Sequence, residues 1–330
     1  MLQQIIKRYS PFPSQIKQKT FLLFGAGGFI GTHALCMLIR SNVKVISLSR
    51  NELPIKAIER LYGLKSHDMG QHYKTSIYSQ DTVKNILEKH MPDIVINFAY
   101  SDISKRNKSH LSDSINSEIM PFVSFLEALG DAEIAVLIGT CEEYGHNPPP
   151  FKEIQKEDPV SAYSLTKTMQ YYLVKYLFKL KKLNYLYIRP FTTYGPLQKS
   201  TMFVSSAITA FLKRQPFVMS EGYQKREFNF VTDTAYNIIL SSLCPEIRNS
   251  IINIGSGISF RMRDIASLIR DMTDPAQSIY FDKSLNREME IRDLVSDISM
   301  MKRYLSEPAV ELEEGLGITI QYYREAFSHA

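Results

Sequence analysis

In this chain of 330 residues, the types and spacing that point most directly to chemistry belong to a tyrosine and a lysine in the run Tyr163-Ser-Leu-Thr-Lys167. Four residues apart on a helix, the two side chains share one face, so the ammonium can lie under the phenol. A free tyrosine titrates near ~10, too high for proton transfer at neutral pH. A neighbouring Lys⁺ favours the phenolate and lowers that value. Taken alone, such a pair is ordinary surface decoration of a helix, and it gains meaning only from what accompanies it.

The first companion lies upstream. Thr20 to Gly31 reads Thr-Phe-Leu-Leu-Phe-Gly-Ala-Gly-Gly-Phe-Ile-Gly, an apolar run with strand character that breaks into glycines. It passes at once into a helical pattern at Ile30, Ala34, Leu35, Leu38 and Ile39. Gly25 permits a sharp turn, Gly28 leaves room for a pyrophosphate beside the backbone, and Gly31 lets the helix pack closely on the sheet. The unpaired amides and positive dipole end of that helix would face an anion. The spacing Gly25-x-x-Gly28-x-x-Gly31 is a variant of the dinucleotide fingerprint, and an oxidised nicotinamide would add to the effect of Lys167 on Tyr163. The next strand, Val43 to Leu48, ends in Ser49-Arg50. In a Rossmann arrangement this strand end meets the adenosine ribose, where an acidic residue binds the 2′-hydroxyl and an arginine accepts a 2′-phosphate. Ser49 and Arg50 therefore favour NADP(H), while Glu52 leaves NAD(H) open.

The elements that must position these groups alternate. Asp81 to His90 has helical spacing and is followed by Pro92 and a buried-strand run, Asp93 to Ala99. A helix over Ser112 to Leu129 and a strand over Ile134 to Ile138 repeat the pattern, which predicts a parallel sheet covered by helices. The strand ends then bring Asn97 to Tyr100, and the loop Gly139 to Gly145 with Thr140, to the cofactor side. A long helix from Ala162 to Leu183 carries Tyr163 and Lys167. The fold class expected is α/β, a Rossmann-type doubly wound parallel sheet with a smaller C-terminal α/β substrate domain. Residues 1–19 read as an N-terminal extension in which Ile5, Ile6 and Tyr9 form one helical turn ended by Pro11 and Pro13. Residues 20–190, with part of 228–257, form the NADP domain, and residues 191–227 and 258–330 the substrate domain.

The order Gly25-x-x-Gly28-x-x-Gly31, Thr140, Tyr163-x-x-x-Lys167 resembles the extended short-chain dehydrogenase/reductase family, in particular its nucleotide-sugar epimerases, dehydratases and ketoreductases. The likeness continues through Arg189-Pro-Phe-Thr-Thr-Tyr-Gly-Pro196, Arg226-Glu-Phe-Asn-Phe-Val-Thr-Asp233, Asn253-Ile-Gly-Ser-Gly257, Arg287 and Glu313-Glu-Gly-Leu316. The resemblance implies Tyr163 as general acid/base, Lys167 as its partner and ribose anchor, and Thr140 as hydrogen-bond donor to the substrate oxygen. It implies a cofactor site of Gly25, Gly28, Phe29, Ile30, Gly31, Ser49, Arg50, Ala99, Tyr163, Lys167 and Pro190. On the substrate side it implies Thr192, Arg226 and Arg287, the two guanidinium forks suiting a diphosphate; a surface salt bridge is the plain alternative for either arginine. Asn116 matches the family's helix asparagine. Ser76 and Thr192 depart from the family's usual Asp and Asn. Thr140-Cys141-Glu142 departs from the Thr-Asp-Glu of sugar 4,6-dehydratases, and with Glu143 before Tyr144 it resembles several 4-ketoreductases. Cys141 and Glu142 are the candidate acid and base should water be eliminated.

The first reading is accordingly an NADP(H)-dependent reductase of a nucleotide-linked 4-keto-6-deoxy sugar. The alternative is a nucleotide-sugar dehydratase or epimerase on the same scaffold. A non-catalytic NADP-binding sensor would need none of Thr140, Tyr163 and Lys167. Composition fits a globular enzyme, with 44% hydrophobic and 22% charged residues. No apolar run approaches the ~20 residues of a spanning helix, and Met1 to Thr20 has no signal-peptide core. A cytoplasmic protein with no membrane or nucleic-acid partner is expected, the net charge of +5 being scattered. Cys36, Cys141 and Cys244 lie far apart without Cys-x-x-Cys spacing, and no H-E-x-x-H pattern occurs, so neither a disulfide framework nor a metal site is expected. Tyr172, Val174, Tyr176, Leu177 and Phe178 give the Ala162 to Leu183 helix more apolar surface than one buried stripe needs. Together with the Ser112 to Leu129 helix, and by likeness to the family's four-helix interface, this implies a twofold homodimer.

Overall fold

The computed structural model describes residues 2–76, 79–99, 111–130, 132–287 and 289–328. A short helix, α1 (Gln3–Ile6), precedes the first strand, β1 (Thr20–Phe24), and alternation then begins. It runs through α2 (Phe29–Arg40), β2 (Lys44–Ser49), α3 (Ile55–Tyr62), β3 (Gln71–Lys74), α4 (Gln80–His90), β4 (Ile94–Asn97) and α5 (Leu111–Ser114). A π-helical turn at Ile115–Ile119 leads into α6 (Met120–Ala128), followed by β5 (Ile134–Ile138), α7 (Ala162–Lys181) and β6 (Tyr185–Pro190). Beyond these lie β7 (Thr193–Tyr194), α8 (Phe203–Leu212), β8 (Phe217–Met219), β9 (Lys225–Glu227), β10 (Asn229–Phe230), α9 (Val231–Ser242) and β11 (Ser250–Ile254). The chain closes with β12 (Ser259–Arg261), α10 (Met262–Thr273), β13 (Ile279–Phe281), β14 (Asp293–Leu294), α11 (Ser299–Tyr304) and α12 (Leu312–Ser328).

Seven of these strands form one parallel sheet in the order β11-β6-β5-β4-β1-β2-β3. Its central strands β1, β4 and β5 are apolar runs because both faces are buried there. Phe21, Leu23, Ile94, Ile96, Val136 and Ile188 join the core beneath α2 and α9, whereas Leu22, Phe24, Val95, Leu137 and Tyr187 join the core beneath α4, α6 and α7. The two-residue alternation of a strand is thus split between two helical layers. The expected fold class is present, a Rossmann-type doubly wound sheet with helices on both faces. Around β1 the order reverses, since β2 pairs on one side and β4 on the other, with Phe24 opposite both Leu48 and Asn97. A crevice opens at the carboxyl ends of β1 and β4, the switch point where ligands bind in such sheets. The C-terminal region adds α8, α10 and α12, packed on one another, and the small sheets β12-β9-β14, β13-β8 and β10-β7. Val204, Ile208, Ile265, Ile269, Leu316 and Ile320 extend the first core into it.

The first nineteen residues are fastened to this body. Leu2, Ile5, Tyr9 and Ile16 are buried in the first core, and Tyr9 and Phe12 stack on Tyr236 with ring centroids 4.6 and 4.9 Å away. The Tyr9 hydroxyl donates to Asp233 at 2.8 Å and lies 2.7 Å from the Thr232 hydroxyl, while Arg8 forks onto Glu314 at 2.6 and 2.7 Å. The turn ended by Pro11 and Pro13 therefore straps α9 to α12.

Burial pushes the Asp233 carboxyl up to about 6, against hydrogen bonds from the Ala309 amide and Tyr9 that favour its charged form. The folded value exceeds the unfolded one of ~3.9, so folding takes up a proton. The resulting stabilisation is full below about pH 4 and is lost as pH rises through about 6. Asp233→Asn removes this dependence. In urea unfolding, the stability of the variant relative to wild type should rise by roughly 2–3 kcal/mol between about pH 4 and 7; a difference that stays constant with pH contradicts the assignment.

Candidate active site

The glycine turn after β1 is shaped by close backbone approach. Gly25 has φ +76°, and a Cβ there would come within 2.7 Å of the Ala99 nitrogen on the neighbouring strand end. A Cβ on Gly31 would come within 2.3 Å of the Gly25 carbonyl oxygen, so the helix packs on the turn itself. Gly28 is the N-cap of the twelve-residue α2 and offers no side-chain cap, leaving the first-turn amides around Phe29 and Ile30 to an outside acceptor. Gly27, which the sequence did not single out, leaves space for the Ser49 hydroxyl, 2.8 Å from where its Cβ would be. These residues fit a dinucleotide pyrophosphate.

The ribose end is less simple. Ser49 is buried at the end of β2, and its hydroxyl donates to the Asn51 carbonyl at 2.6 Å. Arg50 is exposed beside it, and Glu52 pairs with Lys74 at 3.0 Å. Across the crevice the Ala99 amide donates to the Asn97 side chain at 2.9 Å, and Pro190 ends β6. Tyr100, grouped with these by the sequence, lies outside the described residues.

Thr140 follows β5, and Tyr163 and Lys167 stand on the first turns of α7. That helix begins where it does because Ser161 caps it, its hydroxyl accepting the Ser164 amide at 3.1 Å. Thr140, Tyr163 and Lys167 are 6%, 8% and 5% exposed. The Lys167 ammonium donates to the Ile138 carbonyl at 2.8 Å and so ties α7 to the end of β5. Burial lowers its pKa to about 8, and the Glu143 and Glu118 carboxylates limit the fall.

Two of those neighbours were not assigned from sequence. Glu118 is buried, while Asn116, the matched helix asparagine, faces solvent on the same π turn. Glu143, wholly buried, accepts the Thr140 amide at 2.8 Å and faces Arg189 at 2.9 Å, also wholly buried. A signal was available, since an arginine inside the apolar strand run Tyr-Leu-Tyr-Ile-Arg requires a buried anion. Full burial pushes the Glu143 carboxyl up, and the Arg189 guanidinium and the Thr140 amide oppose this.

Cys141 packs with Tyr144, Phe151, Phe191, Ile291 and Leu294, as a small apolar residue would. Glu142 is half-buried, and its amide lies 3.4 Å from the Thr140 hydroxyl oxygen. On the substrate side, Arg226 donates to the Lys225 and Ile291 carbonyls at 2.6 and 2.8 Å and forms a close ion pair with Glu290. The exposed Arg287 reaches the same carboxylate at 3.9 Å. Thr192 is half-buried, and its carbonyl accepts the Asn229 amide at 2.8 Å. Among the described residues no three His, Cys, Asp or Glu side chains gather as a metal ion would need, and no helix is long and apolar enough to cross a membrane.

Known proteins resemble this chain over nearly its whole length. UDP-glucuronate 4-epimerase of Thermodesulfobacterium geofontis is 28% identical over 316 residues, 92% of this chain and 96% of that one. A dTDP-glucose 4,6-dehydratase of Xanthomonas campestris is 24% identical over 92% of this chain and 93% of its own. Among solved structures, a UDP-glucuronic acid 4-epimerase from Bacillus cereus superimposes with a TM-score of 0.82 at 24% identity, covering 93% of this chain and 99% of the other. Residues 21–255 match the family model described as NAD dependent epimerase/dehydratase, and the chain belongs to that family of nucleotide-sugar enzymes.

Proposed function

We propose that this protein acts on C4 of a nucleotide-linked sugar and that its main reaction is 4-epimerisation. The observation that carries this reading is the joint burial of Thr140, Tyr163 and Lys167 at the carboxyl end of β5, with the glycine turn at the same edge of the sheet. A bound nicotinamide supplies the acceptor and donor of hydride. Tyr163, as phenolate, takes the proton of the C4 hydroxyl and returns one to the same oxygen after the sugar has turned over. Thr140 donates a hydrogen bond to that oxygen throughout. Lys167 favours the phenolate by its charge. Arg226 and Arg287 hold the diphosphate, and Glu290 must release them for this.

This reading needs no other acid or base. Dehydration needs both, and Cys141, where sugar 4,6-dehydratases carry the acid, packs among apolar side chains. The relatives named above favour epimerase and dehydratase chemistry over net reduction of a 4-keto sugar. A reductase is the second reading because β2 ends in Ser49, followed by the exposed Arg50, which suit a 2′-phosphate and hence NADP(H) as a dissociable cofactor.

Product analysis separates these chemistries. Incubated with nucleotide sugars in deuterated water, the protein should invert C4 without taking solvent deuterium into any carbon position, and Tyr163→Phe should slow turnover by ~10²–10⁴. Deuterium at C5 would establish elimination, and stoichiometric consumption of reduced cofactor would establish the reductase.

The ribose end is tested by affinity. If Arg50 grips a 2′-phosphate, NADPH binds more tightly than NADH, and Arg50→Ala weakens NADPH alone by about one to two decades, the worth of a charge-assisted contact of roughly 1.5–3 kcal/mol. Equal affinity of wild type for both cofactors contradicts this.

We also propose a twofold homodimer through α6 and α7. Tyr172, Tyr176 and Leu180 are 53%, 63% and 63% exposed at successive i, i+4 positions of α7. Wild type should scatter light as a dimer, and Tyr176→Asp with Leu180→Asp as a monomer; a monomeric wild type at micromolar concentration contradicts the interface.

A further inference from the structure

Glu143 has no part in the chemistry just described, yet it is the most fully enclosed carboxylate at the site. Its Oε1 accepts the Thr140 amide at 2.8 Å and a longer contact of 3.3 Å from the Tyr187 hydroxyl. The single proton of that hydroxyl is shared between this carboxylate and the Lys167 carbonyl, which lies nearer at 2.8 Å. Its Oε2 accepts Arg189 Nε and Nη2 at 3.2 and 2.9 Å. Arg189 in turn reaches Glu157 at 2.6 Å and lies over the Tyr144 ring, 4.4 Å from its centroid. The loop is built to admit this group, since a Cβ on Gly139 would come within 2.5 Å of Glu143 Oε1 and 2.3 Å of the Tyr187 ring. Withdrawing charges from water is expensive, and a buried pair is weak evidence for stability as such.

We infer that Glu143 is a positioning residue, a clamp that joins the Thr140 loop to α7 at Lys167 and so fixes the donor and the Tyr163–Lys167 pair in one rigid unit. The inference rests on the catalytic reading of Thr140, Tyr163 and Lys167. It carries an electrostatic consequence. Among the described residues, the carboxylates acting on Lys167 are Glu143 from the loop and Glu118 from the π turn; Tyr163 stands one turn earlier on α7, Tyr187 is on the Lys167 carbonyl and Arg189 balances Glu143. Without the Glu143 charge, Glu118 is the carboxylate left to the ammonium among the described residues, and Lys167 and Tyr163 should both lose protons more readily.

Glu143→Gln keeps an acceptor for the Thr140 amide and removes the charge. Lysine-labelled protein, with the Lys167 resonance assigned by its loss in Lys167→Arg, reports the titration directly by NMR. The Lys167 midpoint should fall from about 8 by about one unit, and both limbs of the pH–kcat profile should move toward acid by a similar amount. A folded Glu143→Gln protein with an unmoved Lys167 midpoint overturns the inference. Tyr187→Phe cuts the link without touching a charge and serves even where Glu143→Gln fails to fold. It should lower kcat by roughly ten- to a hundredfold with KM unchanged, and an unchanged kcat overturns the clamp. A wild-type protein inert toward every nucleotide sugar would refute the proposed reaction, and the NMR titration would still decide the role of Glu143.

Discussion

Because the seven strands of the sheet run in one direction, every loop at their carboxyl ends opens on one edge, and the placement of every reactive group here follows from that constraint. A parallel pair must be joined by a crossover, and the helices that make the crossovers bury both faces of the sheet. The glycine turn after β1, the Ala99 segment after β4, Thr140 after β5 and Pro190 at the end of β6 reach the same edge although they are scattered over 165 positions of the sequence, from Gly25 to Pro190. The reversal of strand order at β1 opens the crevice between them. Without the close approach of Gly25 to the backbone at Ala99, that crevice would be wider and the turn would not close.

A second constraint acts on the chemistry. Lys167 must carry a charge in a place that burial makes unfavourable to charge, and the sequence answers with carboxylates that are themselves buried. Glu143 is balanced by Arg189, and Arg189 by Glu143 and Glu157. The cluster binds the loop after β5, strand β6 and helix α7 to one another. It continues outward to Tyr172, whose hydroxyl donates to Glu157 at 2.9 Å from the exposed face of α7. Such a network is favourable only when every member is present, so the geometry at Thr140 depends on residues that never approach a substrate.

The sheet was legible in the sequence because apolar runs of strand length alternate with helical spacing, and the strand over Ile134 to Ile138 was read to the residue. Tyr163 and Lys167 were legible because their spacing is local to one helix. Glu143 and Arg189 were not, since 46 positions separate them and only the tertiary fold brings them to 2.9 Å. Glu118, two positions beyond the matched helix asparagine, was not legible either. On the turn Ile115–Ile119, Asn116 faces solvent and Glu118 the interior. Ser49 is expected as a phosphate contact from its place at the end of β2, and its hydroxyl donates to the Asn51 carbonyl. A residue type at a strand end fixes what it can bind, whereas its own neighbours decide where its proton goes.

The central claim is that a bound dinucleotide is poised to exchange hydride with C4 of a nucleotide sugar beside Tyr163. The near-ultraviolet absorbance of reduced nicotinamide reads this directly in a single turnover of dinucleotide-loaded protein. Nucleotide sugars with a free C4 hydroxyl should raise that absorbance, and their 4-deoxy analogues should not. A folded, dinucleotide-loaded protein whose absorbance changes with no nucleotide sugar would contradict the account.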